Sequence, residues 1–199
     1  MKFKDKTIYD FAVELSSEAP TPGGGAAAAL SSALGASLVM MVANHTIGKS
    51  KYAGFEELNR DILTEADVLR GRLLGGIDRD AEAFGRVSDA FSLPKGSEAR
   101  EAAIGAASVD AAKAPLAVME DSLAALRMAL TMKGRSNSNL ESDILVAARS
   151  LHAGILSANI NVEANLPAIQ RTDAALAEDM RSRAASILTE TEQLIAEIL

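Results

Sequence analysis

From Ala19 to Gly48 the chain contains no Asp, Glu, Lys or Arg. A helix built from such a stretch has no charged face for water and must be enclosed on all sides. Pro20 and Pro22 hold its approach extended and disfavour helix at the residue before each of them. Gly23-Gly24-Gly25 then removes every Cβ where the helix begins. Backbone N–H groups there can come close to a ligand, and a helix N-terminus favours anionic or polar groups. The same three glycines also read as a plain helix start with a flexible hinge. They lack the Lys-Ser/Thr of a phosphate loop and the preceding strand of a dinucleotide fold. Ala, Gly and Ser dominate the stretch, whereas bilayer insertion favours Leu, Ile, Phe and Val. The expectation is a central, fully buried helix with no membrane partner.

The rest of the chain has to supply walls for that helix. Apolar residues make up 48% of the 199 residues, yet aromatics only 4%, and Trp is absent. The core is therefore built from Ala, Leu, Ile, Val and Met. Small side chains bring helices close but bury little area each, so further burial in an oligomer interface is expected. A net charge of −7 argues against a nucleic-acid groove or a surface for anionic lipid. With no Cys, a disulfide, a thiolate zinc site and a cysteine nucleophile are excluded. His45 and His152 are far apart and argue against a histidine-rich metal site. Met1–Lys6 is polar and no apolar leader follows, so the cytoplasm is the expected location.

Periodicity predicts an all-α fold of about six helices in a single domain spanning residues 1–199. A short helix covers Thr7–Ser17, and the central one Gly25–Thr46. Gly48–Gly54 is a polar break carrying Lys49 and Lys51. A helical pattern runs from Phe55 to Phe91, loosened at Gly75-Gly76. Ser97 opens the next helix, which reaches Met132 with a kink at Pro115. Lys133–Asn139 reads as a loop. Asn139 or Ser142 starts a fifth helix that ends at Asn161 or Asn165, with Pro167 closing the region. Thr172 or Asp173 caps a last helix to Leu199. No strand pattern is present.

Two helix faces depart from a plain bundle. At about 100° per residue, Ile77, Phe84, Val87 and Phe91 share one apolar stripe, and Asp80 falls in its middle. Asp78, Glu82 and Asp89 fall on the other side, which reads as solvated surface. Asp80 is thus expected at a cleft wall or buried, where a charge needs partners or a task. In the fifth helix Asp143, Ala147, Ser150, Gly154, Ser157, Asn161 and Asn165 form one small or polar stripe. It reads equally as a seam for a closely packed helix or as a wall beside a polar ligand. Lys49 and Lys51 either solvate a loop or clamp a ligand carboxylate.

Six segments occur in a telling order: Pro22–Gly25, Met41–Tyr52, Asp78–Phe84, Leu93–Lys95, Asn137–Asn139 with Ser142-Asp143, and Asn161-Val162 with Asn165-Leu166. In this order the chain resembles the cyclodeaminase domain of formiminotransferase-cyclodeaminase, a family that includes stand-alone methenyltetrahydrofolate cyclohydrolases of the serine-cycle type. The resemblance implies an all-helical homodimer that handles a one-carbon unit on tetrahydrofolate, in a cleft near the dimer interface. It places the family's key acid in the Asp-x-Asp-Ala-x-x-Phe segment, and the helix face selects Asp80 over Asp78. Gly23, Gly24, Gly25, Asn44, Lys49, Lys51, Asn137, Asn139, Asp143, Asn161 and Asn165 would surround the folate. Two positions depart from the family pattern: His45 where an apolar residue is usual, and Ser136 where Gly often precedes Asn137.

The implied chemistry suits these residue types. The one-carbon atom of 5,10-methenyltetrahydrofolate belongs to a cationic amidinium and is already electrophilic. Its hydrolysis to 10-formyltetrahydrofolate needs a placed water and a base, with no metal and no permanently bound cofactor; the folate itself is substrate. In the sister reaction N10 of formimino-tetrahydrofolate attacks the formimino carbon and ammonia leaves, and one carboxyl group can shuttle the protons. The absence of a fused formiminotransferase domain favours the cyclohydrolase. Two other readings are a helical dimerisation protein with packing seams only, and a folate binder without turnover.

Overall fold

The computed structural model describes residues 2–199, and among them only helices, turns and loops occur. Six α-helices follow one another: α1 (Ile8–Leu15), α2 (Gly24–Asn44), α3 (Glu56–Ser92), α4 (Glu98–Met132), α5 (Glu141–Thr172) and α6 (Ala174–Ile198). Short 3-10 turns at Phe3–Asp5, Ser50–Phe55 and Ser138–Leu140 precede α1, α3 and α5. The helix starts are written in the sequence. Thr7 accepts from the Asp10 N–H, Ser97 from that of Arg100 and Asp173 from that of Leu176, each a side-chain cap for an otherwise unpaired donor. Gly23 at the start of α2 has no side chain to give, so the first-turn donors of α2 look elsewhere.

α2 runs antiparallel to α5, with α3 and α4 packed around it, while α6 lies on α4 and α5. Closeness comes from missing side chains. A Cβ at Gly154 would stand 2.0 Å from Ser32 Oγ, and one at Gly35 2.6 Å from Leu151 Cγ. A Cβ at Gly76 would stand 3.1 Å from Val118 Cγ2 and 3.3 Å from Ala29 Cβ, so α3 also closes tightly on α2 and α4. Ser31 Oγ donates to the Ser150 carbonyl at 3.0 Å across the α2–α5 seam. α2 and α4 are long and apolar enough to cross a bilayer, and 56% of the apolar window of each is buried against the other helices.

Several sequence expectations are corrected. α2 is central but not enclosed on all sides: Leu34 on it is 52% exposed. The helix does not loosen at Gly75-Gly76: α3 is unbroken from Glu56 to Ser92. Pro167 does not close α5, which continues to Thr172. Proline costs an interior helix its N–H and a steric clash; the buried Leu166 and Ile169 on either side hold this segment in the core as helix. Asp78 is not ordinary surface: it is 7% exposed, because the N-terminal segment lies across its face and Phe3 N donates to Asp78 Oδ1 at 2.7 Å. The expected apolar stripe of α3 also divides. Ile77 is buried, but Phe84 and Phe91 are 44% and 54% exposed.

Candidate active site around Asp80

Asp80 sits on α3 where that helix passes the N-terminus of α2. Its Oδ2 accepts the Ala26 N–H at 3.0 Å. This is one of the first-turn donors that glycine at the start of α2 leaves uncapped, and the positive end of the helix dipole favours a carboxylate there. The carboxylate occupies the space a side chain at Gly25 would need: a Cβ there would stand 2.0 Å from Asp80 Oδ1 and 2.5 Å from its Cγ. The glycine run therefore serves as a seat for an acid from another helix. Burial raises the Asp80 pKa above the ordinary carboxylate value, and the Ala26 N–H opposes the rise without cancelling it.

A cleft of about 340 Å³ opens beside this carboxylate. Pro20, Thr21 and Gly23–Gly25 form one wall, Phe84 and Val87 of α3 a second, Ala111 of α4 a third, and Asn161, Ala164 and Asn165 of α5 the fourth. The Thr21–Pro22 peptide bond is cis. Neither Lys nor Arg lines the cleft. Asn161 Nδ2 donates to the Ser157 carbonyl at 2.9 Å, and Asn165 Nδ2 to the Asn161 carbonyl at 2.8 Å. The fifth-helix stripe divides along its length. Gly154 and Ser150 are seam against α2, and Asn161 and Asn165, two turns further on, are cleft wall.

The other expected site residues lie at the far end of α2. Asn44 ends that helix, and its 20 steps from Gly24 correspond to roughly 30 Å at 1.5 Å per residue. Asn137 is buried and fastens the loop before α5 to this end: its N–H donates to Thr46 Oγ1 at 2.9 Å and its Nδ2 to the His45 carbonyl at 3.2 Å. Its Oδ1 accepts the Asn139 N–H at 3.2 Å, so both ends of the amide are engaged inside the protein. Tyr52 OH accepts the Ser138 N–H at 2.8 Å and lies 3.0 Å from Ser138 Oγ, which Lys51 Nζ reaches at 3.3 Å. The Ser138 hydroxyl and N–H, with Lys51 beside them, lower the Tyr52 pKa to about 8. Lys49 and Asn139 are exposed, and Asp143 is half-buried on the first turn of α5. One chain therefore brings Gly23, Gly24, Gly25, Asp80, Asn161 and Asn165 together. It holds Asn44, Lys49, Lys51, Asn137, Asn139 and Asp143 as a second group at the opposite end. Phe84 and Val87, which the sequence placed on the apolar stripe with Asp80 but not among the site residues, join the cleft as apolar walls. Their spacing from Asp80, one and two turns along the same helix face, was the available signal.

Comparison with known proteins bears on this geometry. Residues 7–186 match the family model described as formiminotransferase-cyclodeaminase. A methenyltetrahydrofolate cyclohydrolase of Methylorubrum extorquens is 40% identical over 97% of this chain and 90% of its own length. A formimidoyltransferase-cyclodeaminase of Dictyostelium discoideum is 33% identical over 97% of this chain, which spans 35% of that longer protein. Among solved structures, the crystal structure of a formiminotetrahydrofolate cyclodeaminase from Thermotoga maritima superposes with a TM-score of 0.91 at 27% identity, covering 99% of this chain and 96% of that one.

Proposed function

The chain belongs to the formiminotransferase-cyclodeaminase family, and from that premise we propose that it hydrolyses 5,10-methenyltetrahydrofolate to 10-formyltetrahydrofolate, with Asp80 as the acid–base group. The observation that carries the reading is the half-desolvated Asp80 carboxylate, seated on the α2 N-terminus and opening onto a cleft without a lysine or arginine. Such a cleft suits a cationic amidinium. The water oxygen adds to the methenyl carbon while Asp80 takes one of its protons. Asp80 then returns that proton to N5 as the carbon–N5 bond breaks. The remaining hydroxyl proton leaves to solvent as the formyl carbonyl forms on N10. The raised pKa keeps Asp80 nearer the range in which a carboxylate both takes and gives a proton. Gly24 and Gly25 offer their backbone N–H groups to the folate, and Asn161 and Asn165 their side chains.

The cyclodeaminase reaction is the second reading, and the Thermotoga neighbour, matched over nearly its whole length, favours it. The 40% identity to the cyclohydrolase, over 90% of that enzyme, supports the first. The reading also includes a homodimer. Ile8 and Tyr9 on α1 are 79% and 77% exposed, and Leu34, Leu156 and Ile160 leave apolar surface on α2 and α5; a second copy would cover these and bring its own Lys49–Asp143 group near a cleft. Light scattering of the purified protein tests that point: a mass of one chain would remove it. The activity test is the absorbance of 5,10-methenyltetrahydrofolate with and without protein, in a buffer where spontaneous hydrolysis is slow. Rapid loss supports the cyclohydrolase. No loss, with formation of that chromophore and ammonia from formimino-tetrahydrofolate, supports the cyclodeaminase. Silence with both overturns the enzyme reading.

A further inference from the structure

The cleft wall contributed by α5 offers oxygen to a ligand. Asn161 and Asn165 stand one turn apart on that helix, and each spends its amide nitrogen on a main-chain carbonyl: Ser157 for the first, Asn161 for the second, with Ala111 O a further 3.4 Å from Asn165 Nδ2. A carbonyl oxygen accepts and cannot donate, so the nitrogen of each amide has to face it. The orientation of both side chains follows from that chemistry. Neither Oδ1 receives a hydrogen bond from the described residues, so each is an acceptor available to the cleft that both residues line. Asp80 Oδ1 is a third acceptor nearby, since its partner oxygen takes the Ala26 N–H. The opposite wall carries the main-chain donors of the α2 first turn, with Thr21 beside them. One side of the cleft is thus a row of acceptors and the other a helix N-terminus.

We infer that Asn161 and Asn165 are specificity-determining residues that read an edge of the ligand carrying adjacent N–H groups. On the folate reading, on which this inference rests, that edge is the aminopyrimidine of the reduced pterin, with its 2-amino group and ring N3–H donating to the two amide oxygens. Sites built to pair a ligand N–H reject analogues that lack it, because their own buried polar groups are left unpaired. The bonded N–H groups aim the oxygens, and Asn161 Nδ2, with one carbonyl partner, keeps a second N–H, whereas Asn165 Nδ2 faces two carbonyls.

The test pairs a ligand change with a protein change. Dissociation constants are measured by calorimetry for 5-formyltetrahydrofolate and its 2-desamino counterpart, on the wild-type protein, on Asn161→Ala, Asn161→Leu and Asn165→Leu, and on Asp80→Asn. The wild type should bind the desamino compound about 10- to 100-fold more weakly, within the range for one buried acceptor left unpaired. That ratio should fall to within about threefold of unity in a variant that has lost the reading oxygen. A merely structural role would weaken both ligands alike and leave the ratio at its wild-type value; that result in all three variants overturns the inference. A ratio that collapses only in Asp80→Asn assigns the edge to the carboxylate and overturns it too. A wild-type protein that binds neither ligand removes the folate reading itself, a distinguishable failure.

Discussion

Gly25→Ala isolates the seat of the acid from everything else the helix does. Gly25 has ordinary helical backbone, with no positive φ, so alanine meets no conformational penalty there. In a helix, Gly to Ala is worth about 0.5–1 kcal/mol in favour of alanine. The new Cβ, however, would stand 2.0 Å from Asp80 Oδ1, 2.5 Å from Cγ and 2.9 Å from Oδ2. Carbon and oxygen reach optimal contact at about 3.5 Å, so the carboxylate has to retreat by more than about 1 Å. It then loses the Ala26 N–H, a charge-assisted bond of about 1.5–3 kcal/mol. A misplacement of that size costs about 100-fold in rate for a positioned group. The expected enzyme is folded, with a Tm within a few degrees of wild type, and has kcat for methenyltetrahydrofolate reduced at least about 100-fold. Gly85→Ala is the control: nothing lies within 4 Å of its Cβ on the same helix as Asp80, and its rate should be unchanged. Steady-state absorbance decay and a thermal melt on the three proteins give both numbers. Wild-type kcat in Gly25→Ala would refute the reasoning, as would a rate loss explained by unfolding.

The acid limb of the kcat/KM profile should lie above the ordinary carboxylate range, because burial raises the Asp80 pKa and the ionised form is the one that takes the water proton. The same shift has a stability sign. Between the unfolded and the raised folded pKa the native state holds a proton the unfolded chain has lost, so stability falls as pH rises through that window; urea melts of Asp80→Asn should match or exceed wild type at neutral pH, with the difference fading toward acid. Asp78→Ala should cost about 1 kcal/mol by removing the acceptor of the partly buried Phe3 N–H, with kcat within a few-fold of wild type, read by melts and turnover together. Gly154→Ala should destabilise by about 1–3 kcal/mol, since its Cβ would stand 2.0 Å from Ser32 Oγ and 3.1 Å from both Ser32 Cβ and the Ala28 carbonyl; denaturant midpoints check it.

Much of the architecture was legible because it rests on local rules. The charge-free stretch became the central helix α2, though not the fully enclosed one expected, and Thr7, Ser97 and Asp173 mark helix starts that the structure keeps. Pro167 misled because a penalty counted along the sequence omits the buried residues that pin it in α5. Asp78 misled for a related reason. A helical wheel knows which residues share a face but not what later covers that face, and here it is the N-terminal segment. The wheel did find Asp80 as the residue out of keeping with its apolar face. It could not show that Phe84 and Phe91, on the same stripe, stay partly open. The division of the expected site residues into two groups also escaped it, because six motifs in one order say nothing of the distance between them. Only the antiparallel run of α2 and α5 places Gly24 beside Asn161 and carries Asn44 and Asp143 to the other end.

Single-turnover decay of the methenyl chromophore, compared between wild type and Asp80→Asn, tests the central claim most directly. Asparagine keeps the shape and an acceptor for the Ala26 N–H but cannot take a proton from water. A rate at least about 100-fold below wild type, with folate still bound, is the expected result. A rate within a few-fold of wild type would show that the proton is handled elsewhere and would contradict the assignment of Asp80.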